Sequence, residues 1–444
     1  MSRICMIGTG YVGLVSGACL ADFGNDVFCV DIDEKRIESL KKGDIPIYEP
    51  GLSHLVDRNS KAQRLRFSTD LKEAVKGSEV VFIAVGTPPK GDGSTDLTQI
   101  FDASEQLASC LDGYKVIVQK STVPVGVTRE VSGRIQRSAP AGTSFDIVSN
   151  PEFLREGSAI EDFMRPNRVV IGVEASRAEE IMKKIYRPLY LIETPIVFTN
   201  LETAELIKYA SNAFLAAKIS FINEISAICD LVGANVDDVS KGMGLDKRIG
   251  SKFLHAGLGY GGSCLPKDVA SLIHVARRND YKALMIEAAH EVNKRIVDRA
   301  LNKLLSEVHS LEDKTIGILG LSFKPNTDDI REAPSIKIIS LLEEMRAKIK
   351  VFDPVAMENF KKQTSYEVEF AKNPYDAAED CHAVMLLTEW NEFRELDLER
   401  IKNLMIDPVF IDCRNVYGPG LMKESGFRYR SFGRGAGESK ETAR

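Results

Sequence analysis

The sequence predicts an α/β protein in which two doubly wound, parallel-sheet units of Rossmann type are joined by a long-helix core. Three observations carry the prediction. Short apolar runs alternate with helical stretches at both ends of the chain, the pattern of parallel sheets covered on both faces. Each end repeats the order strand, glycine turn, helix, strand, Asp. Between them, residues 202–232 keep a helical period without a proline or a glycine.

Taken in order, RICMIG (3–8) is an apolar run closing on glycine and reads as a buried strand. Residues 10–23 follow as a helix and DVFCVDID (26–33) as a second strand. SEVVFIAVGTP (78–88) and YKVIVQKSTVP (114–124) are strands that run into polar turns, and FDIVSNPEF (145–153) and NRVVIGV (167–173) are further strands. After the helical middle and a second long helical run from Ala283, KTIGILGLSFK (314–324) opens another α/β unit. SIKIISLLEEM (335–345) is its helix, and KIKVFDP (348–354), CHAVMLLTEW (381–390) and VFIDCRN (409–415) are its remaining strands. The boundaries drawn from this are 1–200 for the first Rossmann domain, 201–306 for the helical core, 307–430 for the second Rossmann-like domain and 431–444 for a flexible, Gly/Ser/charge-rich tail. The apolar surface of the helical core predicts burial against a second subunit.

The bulk properties exclude several classes. A formal charge of −6 argues against a nucleic-acid partner. The eight cysteines are scattered, without C-x-x-C or zinc-type spacing, and read as reduced thiols of a cytoplasmic protein with no disulfide framework and no metal. Arg3 leads straight into a strand, and no apolar run reaches the roughly 18 residues needed to span a bilayer, so no signal peptide and no membrane are expected.

Two motifs carry chemistry. Gly8, Gly10 and Gly13 form G-x-G-x-x-G after a strand and at a helix start, where the turn and the free N–H groups of the helix suit a pyrophosphate. Asp31 ends the second strand about twenty residues further on, in position to accept from ribose hydroxyls and to repel a 2′-phosphate, which favours NAD over NADP. Arg36 nearby is of the type that serves such a phosphate instead. In the second unit Gly317 and Gly320 lack the full motif, so that unit holds a different nucleotide or none.

The second motif is GGSCLPKD (261–268). Pro266 belongs to a first helical turn, so Cys264 sits just before a helix N-terminus, where the helix dipole and Lys267 favour the thiolate. Asp268, one turn on, is placed to handle protons; the alternative is a plain cysteine in a glycine turn, as for the other seven. Glu152 and Glu156 in NPEFLREG (150–157) are either bases for water or solvated carboxylates. Lys208 and Asn212 share a helix face, as an oxyanion pair or a surface pair. Thr122 follows a strand, where ligands bind in such sheets. With Cys264 these residues suggest a site between domains and a four-electron oxidation that passes through an aldehyde to an acid.

GTGYVG, VDID, IPIYEPGL (45–52), VGTPP (85–89), STVPVG (121–126), NPEFLREG, ELIKYASNAF (205–214), GYGGSCLPKD (259–268) and LSFKPNTDDIRE (321–332) together resemble the UDP-glucose/GDP-mannose dehydrogenase family over nearly the whole chain. IPIYEPGL is most like the members that act on UDP-glucose. The resemblance implies a homodimer with an NAD-binding domain, a dimerisation core and a UDP-binding domain, and oxidation of UDP-glucose to UDP-glucuronate for polysaccharide synthesis. It implies that Cys264 carries a thiohemiacetal and then a thioester, that Glu152 is the base for the hydrolytic water and that Lys208 stabilises oxyanions. Asn212 and Thr122 would position groups or water, and Asp268 would assist proton transfer. Gly8, Gly10, Tyr11, Val12, Gly13, Asp31, Arg36, Thr87, Thr122, Glu156, Lys267 and Arg331 would hold NAD. The substrate would meet Glu152, Phe153, Leu154, Glu156, Lys208, Asn212, Arg248, Phe253, His255, Tyr260, Gly261, Phe323, Lys324 and Arg414, the last from the neighbouring subunit. Tyr260 stands where many members carry phenylalanine. GDP-mannose or a UDP-N-acetylhexosamine is the alternative substrate, and a catalytically silent NAD-binding scaffold the remote alternative.

Overall fold

The computed structural model describes residues 1–435, which pack as two compact units. The first comprises residues 1–211 with 274–281, and the second residues 212–273 with 282 onward.

The first unit holds eight strands: β1 (Arg3–Ile7), β2 (Asp26–Val30), β3 (Leu65–Ser68), β4 (Val80–Ile83), β5 (Tyr114–Gln119), β6 (Ser144–Ser149), β7 (Val169–Val173) and β8 (Ile196–Thr199). They lie in the order β3-β2-β1-β4-β5-β6-β7-β8. The apolar runs are buried on both faces because successive side chains serve different cores. Ile4 and Met6 pack with Leu14 of the first helix, while Cys5 and Ile7 pack with Ile100 and Leu107 on the other side. Pairing is parallel except between β6 and β7, where Val148 faces Val173 and Ser149 faces Gly172 in antiparallel register. The all-parallel expectation therefore fails at that junction: the short helix Ala159–Met164 and its flanking turns return the chain into the next strand without a full crossover.

The second unit holds β9 (Thr315–Leu319), β10 (Lys348–Phe352), β11 (Glu369–Phe370), β12 (Ala383–Leu386), β13 (Val409–Asp412) and β14 (Arg428–Ser431), all parallel, in the order β11-β10-β9-β12-β13-β14. That order matches, strand for strand, β3-β2-β1-β4-β5-β6 of the first unit. The helix Leu284–Val308 packs Ile296, Val297, Ala300 and Leu304 onto this sheet's core.

The helix Leu201–Val232 gives its residues up to Ser211 to the first unit and the rest to the second. Along it Phe214, Phe221, Ile228 and Leu231 remain exposed, a stripe recurring at about two helical turns. The flexible tail placed at 431–444 begins too early. Ser431 ends β14, Phe432 is fully buried, Gly433 donates its amide to Asp230 at 3.0 Å and Arg434 pairs with Asp237 at 2.6 Å. The aromatic ring at 432 explains the difference, since burying it fixes the backbone around it. Residues 436–444 of that tail lie outside the described residues. No described helix is long and apolar enough to cross a membrane.

Candidate active site

In the first unit the glycine turn between β1 and the helix Tyr11–Asp22 is built for close approach. A Cβ on Gly13 would lie 2.0 Å from the Gly8 carbonyl oxygen, so this glycine lets helix and strand meet. A Cβ on Gly10 would meet nothing within 4 Å, so the turn faces open space there, and the helix has no side-chain cap at its N-terminus. Such a terminus accepts a diphosphate. Asp31 follows β2. Its Oδ2 accepts from the Thr9 amide at 2.7 Å and the Thr9 hydroxyl at 2.8 Å, and its Oδ1 accepts from the Asp33 amide at 3.0 Å. Burial alone would raise this carboxyl, but these hydrogen bonds and the Arg36 guanidinium hold it below its ordinary value. A carboxylate has about four acceptor positions, so Oδ1 retains room for a ribose hydroxyl. Arg36 sits 3.3 Å from Asp31 and 3.9 Å from Asp33, engaged with carboxylates rather than presented to a phosphate. The residues present thus fit NAD.

The same unit gathers a second cluster from the ends of strands. Glu152 is 6% exposed, and its Oε1 accepts from Lys208 Nζ at 3.2 Å while its Oε2 accepts from the Leu154 amide. Lys208 lies over the Phe153 ring at 5.2 Å and Arg168 stacks on the same ring at 3.4 Å. Lys120, directly after β5, is also buried and donates to Asn150 Oδ1 at 3.2 Å. Burial lowers its pKa to about 8; Glu152 works against that shift and Lys208 adds to it. Lys120, Glu152, Arg168 and Tyr186 line a cavity of about 40 Å³, room for one water. Thr122 stands two residues beyond Lys120, half-buried, and Thr87 is half-buried in the turn after β4. Sequence reasoning missed Lys120 and Arg168; the rule that ligands meet strand C-termini, applied to Thr122, reaches Lys120 as well.

A third set in this unit was also missed. Glu49, within IPIYEPGL, accepts from the Tyr11 hydroxyl, from the Gly157 amide at 2.6 Å and from the Ala159 amide at 2.8 Å. No periodicity or spacing announces it.

In the second unit Cys264 precedes the helix Leu265–Arg278. It is exposed, whereas Cys110 is half-buried and the other six cysteines are buried. Asp268, in the helix's first turn and 1% exposed, donates its amide to the Cys264 carbonyl at 2.9 Å. Its carboxylate accepts from Asn212 Nδ2 at 2.6 Å and from Lys267 Nζ at 2.7 Å. The loop before the cysteine is pressed against the second sheet. Gly262 has φ +81°, and a Cβ there would lie 2.7 Å from the Phe323 ring. Gly261 likewise has the Glu332 carbonyl where a side chain would stand. Arg414, just beyond β13, donates to the carbonyls of Leu387 at 2.7 Å, Phe323 at 3.2 Å and Gly259 at 3.4 Å. These contacts anchor the guanidinium on the second sheet of its own chain, with Glu389 at 3.2 Å.

Lys324 lies 5.5 Å above the Phe323 ring, and Arg331 pairs with Asp329 at 2.8 Å while its carbonyl receives the Gly262 amide. Tyr260 is buried and its backbone exchanges two hydrogen bonds with Asn293. Burial raises its phenol well above the ordinary value. Of the other predicted substrate residues, Arg248 is 89% exposed and bound to Asp246, His255 is exposed, and Phe253 adopts a left-handed φ of +63°.

A Rossmann turn open to a diphosphate, a ribose-type acid, and an exposed thiol backed by buried Asp268 and Asn212 with half-buried Lys267 define a nicotinamide-nucleotide-dependent dehydrogenase. The chain belongs to the UDP-glucose/GDP-mannose dehydrogenase family, matching its NAD-binding domain over residues 2–190, its central domain over 202–295 and its UDP-binding domain over 317–419. It is 52% identical to the UDP-glucose 6-dehydrogenase of Rhizobium meliloti (strain 1021), covering 97% of this chain and 99% of that one. It is 48% identical to the UDP-glucose 6-dehydrogenase TuaD of Bacillus subtilis (strain 168), covering 98% and 94%. Among solved structures, a UDP-glucose dehydrogenase of Pyrobaculum islandicum superposes with a TM-score of 0.92 at 35% identity, covering 98% of both chains.

Proposed function

We propose that this protein oxidises UDP-glucose at C6 to UDP-glucuronate with two NAD in succession, through a covalent intermediate on Cys264. The observation that carries the reading is the exposed thiol of Cys264 at a helix start beside Lys267 and Asp268, in a chain with an NAD-type turn. The names of its nearly full-length relatives support UDP-glucose as the substrate.

Gly8, Gly10, Tyr11, Val12 and Gly13 would hold the diphosphate of NAD, with Asp31 on its ribose. When bound, NAD supplies a hydride acceptor for each oxidation. Between the two, the Cys264 thiolate adds to the C6 aldehyde, which prevents escape of a reactive carbonyl and leaves a thiohemiacetal. Asp268, held by Asn212 and Lys267, receives or returns the proton there. The second oxidation leaves a thioester. Lys208 stabilises the oxyanion as water attacks, Glu152 takes the water's proton, and the Cys264–acyl bond breaks to release acid and thiolate. Lys208 and Asn212 lie one turn apart on the helix Leu201–Val232, which supports their serving one reaction. Lys324, Arg248 and Arg414 supply the cations a UDP diphosphate needs. The exposed stripe Phe214–Phe221–Ile228 supports a homodimer formed through this helix. The eight free cysteines, six of them buried, support a reducing, cytoplasmic setting.

The test is NADH formed per sugar nucleotide consumed, with UDP-glucose, GDP-mannose and UDP-N-acetylglucosamine side by side. Two NADH with UDP-glucose is the expected result; activity confined to another sugar moves the substrate, and one NADH removes the covalent role of Cys264. Cys264→Ser is expected to abolish net acid formation, because an alkoxide is a poorer nucleophile and leaving group than a thiolate.

A further inference from the structure

Glu49 is not used by the chemistry above, yet its surroundings are those of a built clamp. Its side chain is 6% exposed. Burying a carboxylate is unfavourable unless its lone pairs are filled. Here Oε2 accepts from the Tyr11 hydroxyl and the Gly157 amide, and Oε1 from the Ala159 amide. Burial, and then the hydrogen bond to Glu49, hold the Tyr11 phenol well above its ordinary range, so Tyr11 stays the donor.

The two ends of this clamp belong to different parts of the reaction. Tyr11 is the first residue of the helix that begins at the glycine turn. Gly157, with a left-handed φ of +79°, closes the segment 150–157 that carries Glu152 and Glu156. A further tie fixes the same segment: the Arg155 amide and guanidinium both bind Asp162. Within the segment the Leu154 amide binds the Glu152 carboxylate itself, so the stretch from Glu152 to Gly157 is tied at both ends and a shift at Gly157 reaches Glu152 through five residues.

We propose that Glu49 is a positioning residue that couples the cofactor turn to the segment bearing the hydrolytic base, so that NAD binding and thioester hydrolysis are linked. The inference rests on the function proposed above. A diphosphate on the turn orders Tyr11, Tyr11 orders Glu49, and Glu49 holds Gly157 and Ala159. Because coupling between binding equilibria is reciprocal, a change that shifts the base segment also shifts NAD affinity.

The experiment compares wild type, Glu49→Gln, Tyr11→Phe and the double variant in two readouts: NAD affinity by calorimetry, and the acyl-enzyme fraction by intact mass after acid quench during turnover of UDP-glucose. Glu49→Gln keeps one acceptor oxygen and turns an NH2 towards an amide N–H. It is expected to weaken NAD by about tenfold, the effect of losing one charged hydrogen bond. It is also expected to slow hydrolysis enough that the thioester accumulates, which a general loss of stability does not produce. Tyr11→Phe leaves the two amide bonds intact and is expected to weaken NAD with a smaller rise in acyl-enzyme, and the double variant is expected to be less than additive. Unchanged acyl-enzyme in Glu49→Gln, or strict additivity, overturns the inference. If Glu49→Gln does not fold, Tyr11→Phe decides alone: no change in either readout overturns the coupling. Failure of the underlying function is distinguishable, because it appears in the wild type as a single NADH per UDP-glucose.

Discussion

The two sheets share a strand order through six strands, yet the same two positions in them have opposite fates. In the first unit the glycine turn after β1 passes at once into a helix, and Oδ1 of Asp31 after β2 accepts, among the described residues, from the Asp33 amide alone. In the second unit residues 320–333 intervene before the helix Pro334–Glu344, and Asp353 after β10 is 2% exposed. Its Oδ2 accepts from the Leu321 and Ser322 amides, the Ser322 hydroxyl and Trp390 Nε1, and its Oδ1 from the Val355 and Ala356 amides. An acid at the end of the second strand is a ribose ligand only when the fold leaves it lone pairs. Asp353 has become a hub that holds its own sheet top together, and the intervening segment has gained Phe323, Lys324 and Arg331 instead. The matching strands β5 and β13 diverge in the same way, the first ending at buried Lys120, the second at Arg414 bound to three carbonyls.

This contrast can be broken at either end. Asp353→Asn turns amide donors onto an NH2 and is expected to destabilise the protein by about 4 kcal/mol, as for other buried, fully bonded charges, with NAD affinity unchanged once folded. A melting curve identical to wild type removes the hub. Lys120→Met comes next. Burial depresses the pKa of this lysine to about 8, so between pH 8 and its unfolded value the unfolded chain binds the extra proton, and wild-type stability rises with pH there. The penalty, about 3 kcal/mol, is therefore complete below pH 8. The methionine variant is expected to be the more stable at pH 7, by an advantage that shrinks as pH climbs past 8; denaturation midpoints that differ equally at pH 7 and pH 10 contradict it. Asp31→Asn sharpens the comparison from the other side, costing about 2 kcal/mol of NAD selectivity with little change in melting temperature. Equal kcat/KM with NADP in the wild type removes the basis for it. The smallest effect is expected from Arg414→Lys: a point charge does not satisfy three separated carbonyls, so KM for the sugar nucleotide rises about fivefold while NAD kinetics stay unchanged. A matching rise in the KM for NAD denies the division of labour between the two units.

How far the sequence carried the fold depended on burial. Strands such as RICMI and AVML are covered on both faces and read directly as apolar runs. The strands LRFS, RYRS and the two-residue EF escaped notice because these edge strands carry polar and charged side chains, which erases the pattern, and IVFT because four apolar residues leave a helix as good a reading as a strand. Strand direction leaves no mark on composition, hence the unforeseen reversal between β6 and β7. In the site, whatever depends on local spacing was legible: the glycine turn with Asp31, and Cys264 before its helix. What depends on distant chain segments was not. Lys208 meets Glu152 across 56 residues and Glu49 meets Ala159 across 110, and only the sheet decides such encounters.

The distribution of thiols has a practical side. Burial raises the pKa of Cys5, Cys19, Cys29, Cys381 and Cys413, so these are poor nucleophiles towards an alkylating reagent, while Cys264 lies open to it. The folded protein thereby carries its own titrant. Brief treatment with iodoacetamide is expected to label Cys264 first, so that on the proposed mechanism the bound label would count competent molecules and its protection by a sugar nucleotide would read occupancy.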